Sequence, residues 1–191
     1  MFIYLIAYLL GSLQGGVILS KLLHVKDPRL AGSKNTGTTN MWRLHGYRFG
    51  LTTFIFDVVK MFLIAGLFHW THSTTCLSIA LLFGVIGHIY PIYHGFKGGK
   101  GVASFMAMIM ILEPAYALLT SMIWLVVFTL TRISGISAII SLLIVFIVSA
   151  GSIIMFYSLN NTTIAIASLL CLIEHRYNLM AHLTEYRVTR P

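Results

Sequence analysis

Acidic residues are almost missing. The 191-residue chain carries five Asp and Glu against thirteen Lys and Arg, and charged residues of every kind make up 9% of it. With 58% hydrophobic residues and a mean hydropathy of +0.88, so few charges cannot cover a water-soluble surface. The bilayer is therefore the solvent. The shortage of carboxylates also excludes chemistry, since no two are placed for paired acid–base work. Cysteine is scarce as well. Cys76 and Cys171 lie far apart in apolar runs, match no metal or redox spacing, and read as small buried hydrophobes. The histidines lack metal-ligand spacing with one another, so neither a metal nor another cofactor is expected. No Ser-His-Asp set stands in a recognisable context, and there is no internal repeat or low-complexity linker. The net charge of +8 is too scattered for nucleic acid and reports membrane orientation instead. One membrane-embedded domain over 1–191 is expected, working as a monomer among membrane lipids.

What is present is apolar runs of spanning length, near 1–23, 49–70, 76–93 and 136–157, with a shorter one near 162–173. The first lacks the basic start and small-residue cleavage site of a signal peptide and reads as a retained span. The 29 residues of 102–130 are too many for one span, and Glu113-Pro114 interrupts them. Splitting this run puts 24–48, 94–101, 131–135 and the tail from 174 on one face. Those segments and their borders then hold twelve of the thirteen Lys and Arg residues; the other, Lys60, lies within a span. The connections near 71–75, 113–114 and 158–161 hold none. The positive-inside rule thus predicts an all-α, polytopic integral membrane protein with seven transmembrane helices, N-terminus outside and C-terminus cytoplasmic.

The unusual polar residues gather on that cationic face. "AGSKNTGTTNMWRLHG", 31–46, is rich in turn formers and hydrogen-bonding side chains, and Arg43 adds a fork suited to phosphate. "GHIYPIYHGFKGGKGVAS", 87–104, is not a P-loop, because Gly101 rather than Ser or Thr follows Lys100 and no strand precedes it. Its glycines would still let backbone approach an anion closely. Lys97 and Lys100 supply charge, and a helix starting near Val102 offers its positive end. His88, one turn before Pro91, reads equally as a donor or proton-transfer group and as a packing histidine. Asp57 and Lys60 share one face of the second span, about 12 Å deep at ~1.5 Å per residue. They read as a structural ion pair, or else Lys60 reaches toward a cytoplasmic anion. Arg132, and the "EHRYN" of 174–178 with His175, Arg176 and Asn178, read as orientation signals or as part of a site.

These residues resemble the bacterial acyl-phosphate:glycerol-3-phosphate acyltransferases, the PlsY family, from about Gly11 to Asn178. The family's G-H-x-x-P and F-K-G-G-K-G-V-A are met by Gly87, His88, Pro91 and 96–103. Its G-S-G-N-x-G-A-T-N-x-x-R is met by Gly32, Ser33, Asn35, Gly37, Thr39, Asn40 and Arg43. Asp57 and Lys60 meet its D-x-x-K, and His175, Arg176 and Asn178 its H-R-x-N. Lys34 stands where the pattern has glycine and Thr38 where it has alanine. A usual serine position falls on Gly135, between Ser134 and Ser137, and Met180 and Ala181 replace a basic pair.

The resemblance implies transfer of a fatty acyl group from acyl phosphate to the 1-hydroxyl of glycerol 3-phosphate, at the cytoplasmic face of a bacterial inner membrane. The products are lysophosphatidic acid and inorganic phosphate, in phospholipid biosynthesis. Ser33, Asn35, Asn40, Arg43, Lys97, Lys100 and the backbone of Gly98, Gly99 and Gly101 would hold phosphate. His88, His175 and Asn178 would orient the glycerol or shape the pocket. A small transporter of an anionic metabolite and an inactive paralogue are the rival readings. The lack of a repeat and the one-sided polar groups speak against transport.

Overall fold

The structure, a computed structural model, describes residues 2–69, 73–155 and 157–176, so Asn178, Met180 and Ala181 lie outside the described residues. Among those described, all regular structure is helical. The expected first span is not one straight helix: the segment breaks into α1 (Phe2–Gly11) and α2 (Gly15–Leu22), bent by 56°. The intervening stretch and its borders, "GSLQGG", favour a helix poorly. Ser12 adds to this by turning its hydroxyl back onto the carbonyl of Tyr8 at 2.8 Å. The short α3 (Thr38–His45) leads into α4 (Tyr47–His69). Then come α5 (Thr74–Ile89), a 3₁₀ turn (Ile92–His94), α6 (Val102–Leu112), α7 (Pro114–Thr131), α8 (Ser134–Met155) and α9 (Leu159–Glu174).

The run at 102–130 is thus two helices. Glu113 leaves helical geometry at φ −147° and Pro114 takes the first position of α7, where its missing N–H costs nothing and its fixed φ suits a helix start. Among the described residues, four segments are long and apolar enough to cross a membrane: Tyr47–Phe68, Thr74–His94, Pro114–Thr131 and Ser134–Met155. The bent α1–α2 pair makes a fifth candidate. The apolar α6 and α9, with 11 and 16 residues, are shorter than the ~20 that a perpendicular crossing needs.

α5 sits at the centre, packed against α1, α4, α6 and α9. Its Leu81 and Val85 join Met61 and Ile64 of α4, Phe105 and Met108 of α6, and Ile164 and Cys171 of α9 in one core. α1 and α5 approach backbone to backbone. A Cβ added to Gly11 would lie 2.2 Å from the carbonyl oxygen of Gly84, and one on Gly87 2.3 Å from that of Tyr8. Small residues allow such close approach where no water drives helices together. α7 is peripheral: Leu118, Met122, Leu125 and Leu130 are exposed, a surface for lipid.

Polar contacts tie several of the connections and helix ends together in two clusters. At one, Asn160 donates to Glu113 (3.3 Å) and its amide oxygen accepts from Ser78, so the 113–114 and 158–161 connections share a cluster. At the other, the Thr39 and Ser134 hydroxyls meet at 3.2 Å and Tyr90 donates to Glu174 at 2.9 Å.

Candidate functional site

The cationic end is built on a buried polar seam. The break between α1 and α2 frees the carbonyls of Gly11 and Leu13, and inside a bilayer such groups need partners. Lys60 supplies them, with Nζ 3.1 and 2.7 Å from the two oxygens. The same ammonium donates to Asp57 Oδ1 at 2.9 Å and meets His88 Nδ1 at 2.7 Å. All three side chains are at most 3% exposed. The structural reading of Asp57 and Lys60 holds, and Lys60 does not reach out toward an external anion. The two carbonyls and the carboxylate already match the three hydrogens of the ammonium, and His88 Nδ1 lies between it and Asp57 Oδ1, 3.5 Å away, so this ring nitrogen can serve the seam as acceptor or as donor according to the tautomer.

The glycine loop folds onto this histidine. The amides of Gly98 and Gly99 donate to the carbonyls of Ile89 and His88, each at 3.1 Å. A Cβ on Gly99 would stand 2.2 Å from His88 Nε2, and one on Gly98 2.3 Å from the His88 carbonyl. Two of the expected phosphate donors are thereby corrected. The N–H groups of Gly98 and Gly99 are spent inside the protein, and these glycines exist to let the loop lie on His88. Gly101, at φ +80°, turns the chain into α6. Beyond it, the first-turn amides of α6 lack intrahelical acceptors, and the buried Ser104 hydroxyl has no partner. The first turn of α6 therefore keeps backbone donors that Gly98 and Gly99 have spent.

Sequence reasoning missed Gln14 and Thr36. Gln14 Nε2 donates to the His88 carbonyl at 2.8 Å, and Thr36 Oγ1 donates to Gln14 Oε1 at 2.6 Å. These two buried residues tie the first loop to the glycine loop. The signal was a glutamine inside an apolar span, where an uncharged polar group also needs a partner.

In the first loop, Asn40 is corrected from phosphate ligand to organiser. Its Nδ2 donates to the carbonyls of Pro28, Ala31 and Asn35 at 2.8–3.1 Å, and its Oδ1 accepts from the Ser33 amide at 3.0 Å. The two Nδ2 hydrogens are shared among these carbonyls, so no donor remains for a phosphate. What this frame displays is unpartnered among the described residues: the exposed Ser33 side chain, the exposed Arg43 and the buried Asn35 Oδ1. Of the two candidate serines near 135, Ser134 reaches Thr39, whereas the buried Ser137 turns its hydroxyl to the Ile133 carbonyl at 3.0 Å. Arg132 is exposed at the left-handed end of α7.

Lys97 is exposed and Lys100 half-buried. Burial holds the Lys100 ammonium down to about 8, partly opposed by the Glu174 carboxylate. Tyr90 steadies Glu174, which precedes His175. His175 is 3% exposed, and its Nδ1 meets the Cys171 carbonyl at 2.7 Å. A carbonyl has no hydrogen to give, so Nδ1 donates and Nε2 keeps a lone pair. Burial, with the Lys100 charge adding to it, holds His175 down to about 4, so the ring is neutral near pH 7. Arg176 is exposed and gives one Nη1 contact to Ile173 O at 3.2 Å.

Comparison with known proteins shows the family. A family described as glycerol-3-phosphate acyltransferase matches residues 1–185. The glycerol-3-phosphate acyltransferase of Ehrlichia canis is 33% identical over 180 residues, covering 93% of this chain and 92% of that one. The chain belongs to the glycerol-3-phosphate acyltransferase family. A Pseudomonas putida member is 43% identical over 143 residues, covering 72% of this chain and 73% of its own. A crystal structure of PlsY, an integral membrane glycerol 3-phosphate acyltransferase, in its glycerol 3-phosphate form, superposes with a TM-score of 0.85 at 32% identity. That match covers 96% of this chain and 92% of PlsY. The lysophosphatidic acid form gives 0.83 at 31% identity, covering 96% and 91%. Like these relatives, this family member is a multi-pass membrane protein.

Proposed function

We propose that this protein transfers a fatty acyl group from acyl phosphate to the 1-hydroxyl of glycerol 3-phosphate, releasing lysophosphatidic acid and inorganic phosphate for phospholipid biosynthesis. The observation that carries the reading is a division of labour at the cationic end. Gln14, Thr36, Asn40, Asp57, Lys60 and His88 form a hydrogen-bonded framework, while the side chains of Ser33, Arg43, Lys97 and Lys100 have no partners among the described residues. Relatives solved with glycerol 3-phosphate and lysophosphatidic acid support the choice of acceptor and product.

Acyl phosphate arrives activated, so the task is positioning and charge neutralisation. The glycerol hydroxyl oxygen attacks the acyl carbon and the carbon–oxygen bond to phosphate breaks. Phosphate leaves with the electron pair, and a phosphate oxygen takes the hydroxyl proton. Arg43, Lys97 and Lys100 stabilise the phosphates, Ser33 donates to one of them, and His175 Nε2 accepts from the glycerol hydroxyl. Asn178, outside the described residues, has the role of helping to orient the glycerol. His88, Asp57 and Lys60 hold the platform. In this reading α1–α2, α4, α5, α6, α7, α8 and α9 are seven spans of a monomer in the bacterial inner membrane, with the N-terminus outside and the site facing the cytoplasm.

The test is purified protein with glycerol 3-phosphate and palmitoyl phosphate, followed by release of inorganic phosphate, with palmitoyl-CoA in a parallel reaction. Turnover with the acyl phosphate alone is expected. Turnover with the thioester alone would replace the donor, and none with either would overturn the reading.

A further inference from the structure

Between the first loop and the glycine loop lies a cleft of about 450 Å³, walled by Asp27, Arg29, Lys34, His94 and Lys97. Its size suits a small phosphorylated group. Arg29 is held in place by Asp27, whose carboxylate takes its Nε and Nη2 at 2.6–3.1 Å. That pair is neutral in sum, so the net charge of the cleft comes from Lys34 and Lys97, neither of which has a partner among the described residues. Each lies at a left-handed stretch of backbone. Lys34 itself has φ +58°, and Phe96, immediately before Lys97, has φ +61°. Residues other than glycine adopt this conformation at a cost and hold it where the surroundings impose it. At Lys34 the strain is avoidable, since the related pattern has glycine there; this chain accepts it and gains a cation on the lip of the cleft.

We infer that the cleft is a phosphate-binding subsite, with Lys34 and Lys97 closing on the anion from opposite loops. Arg29, aimed by Asp27, contributes its remaining N–H donors. The ligand is a phosphate ester, either glycerol 3-phosphate entering the site, which rests on the acyltransferase reading, or the headgroup of an anionic phospholipid.

Lys34→Gly tests this without endangering the fold, because glycine relieves the backbone. The variant is expected to melt about 2 °C higher than the native protein while losing phosphate affinity. With glycerol 3-phosphate as probe, in nanodiscs of phosphatidylcholine alone, a rise in KM of about three- to five-fold, the size of one partly solvated ionic contact, identifies the free ester as ligand. An unchanged KM there, with native mass spectra in which the variant retains less phosphatidylglycerol from mixed nanodiscs, identifies the headgroup. The same KM and the same lipid retention in both proteins overturn the subsite. A lower melting temperature also overturns it, since Lys34 would then be held by packing rather than for its charge. Failure of the acyltransferase reading looks different: the native protein would make no lysophosphatidic acid, and the lipid arm would still decide the cleft.

Discussion

Two histidines at the same end of the molecule, both 3% exposed, are wired to different kinds of partner. His88 Nδ1 sits 2.7 Å from the Lys60 ammonium and 3.5 Å from Asp57 Oδ1, with Nε2 against the backbone of Gly99. His175 gives its Nδ1 hydrogen to the Cys171 carbonyl at 2.7 Å and keeps a lone pair on Nε2. One ring belongs to a seam in which each charge has a partner; the other stands beside Lys100, whose charge has none nearer than the influence of Glu174. Burial alone therefore does not mark function at this end. The distinction lies in what each buried group leaves unspent.

The sharpest way to break the comparison is to remove Lys60. Lys60→Met strands the Asp57 carboxylate and the Gly11 and Leu13 carbonyls in the bundle interior. Losing one partner of a buried pair costs about 3–5 kcal/mol, so the variant should fall well below the native melting temperature and lose activity with its fold. A native-like melt would show that the seam is not structural. Arg43→Ala tests the other side. The side chain is exposed and unpartnered, so melting should stay unchanged while transfer drops at least about a hundred-fold, the scale of one lost transition-state donor. Near-native turnover would remove Arg43 from the site.

The all-helical membrane architecture was legible in the sequence, because hydropathy is summed over whole segments. Finer assignments depended on which hydrogen bonds close, and a residue type does not say that. Asn40 and Ser33 belong to the same polar loop, yet the fold consumes one and exposes the other. Gly98 and Gly99 have the composition of an anion nest, yet their amides answer to the carbonyls of Ile89 and His88. The break at 12–14 escaped notice because its compensating charge, Lys60, is nearly fifty residues away. Gln14 and Thr36 went unseen for the same reason, each being explained by a partner distant in sequence.

The smallest expected effect separates the two histidines from their neighbouring lysine. With Lys100 held down to about 8 by burial, its charge is full below that pH and lost above it. Then kcat/KM should fall with rising pH from about 8, approaching tenfold per unit, where an ordinary lysine would hold until about 10.4. His175, neutral down to about 4, adds no inflection between 5 and 7. Stability should move the other way. Between about 8 and the ordinary lysine value, the unfolded chain binds the Lys100 proton more firmly than the folded one, so this residue's contribution to stability rises with pH. The melting temperature of the native protein, measured relative to Lys100→Met, should therefore climb over the same range in which activity declines. Lys100→Arg keeps its charge and should carry activity past pH 9. A fall at the same pH in that variant would assign the titration to another group.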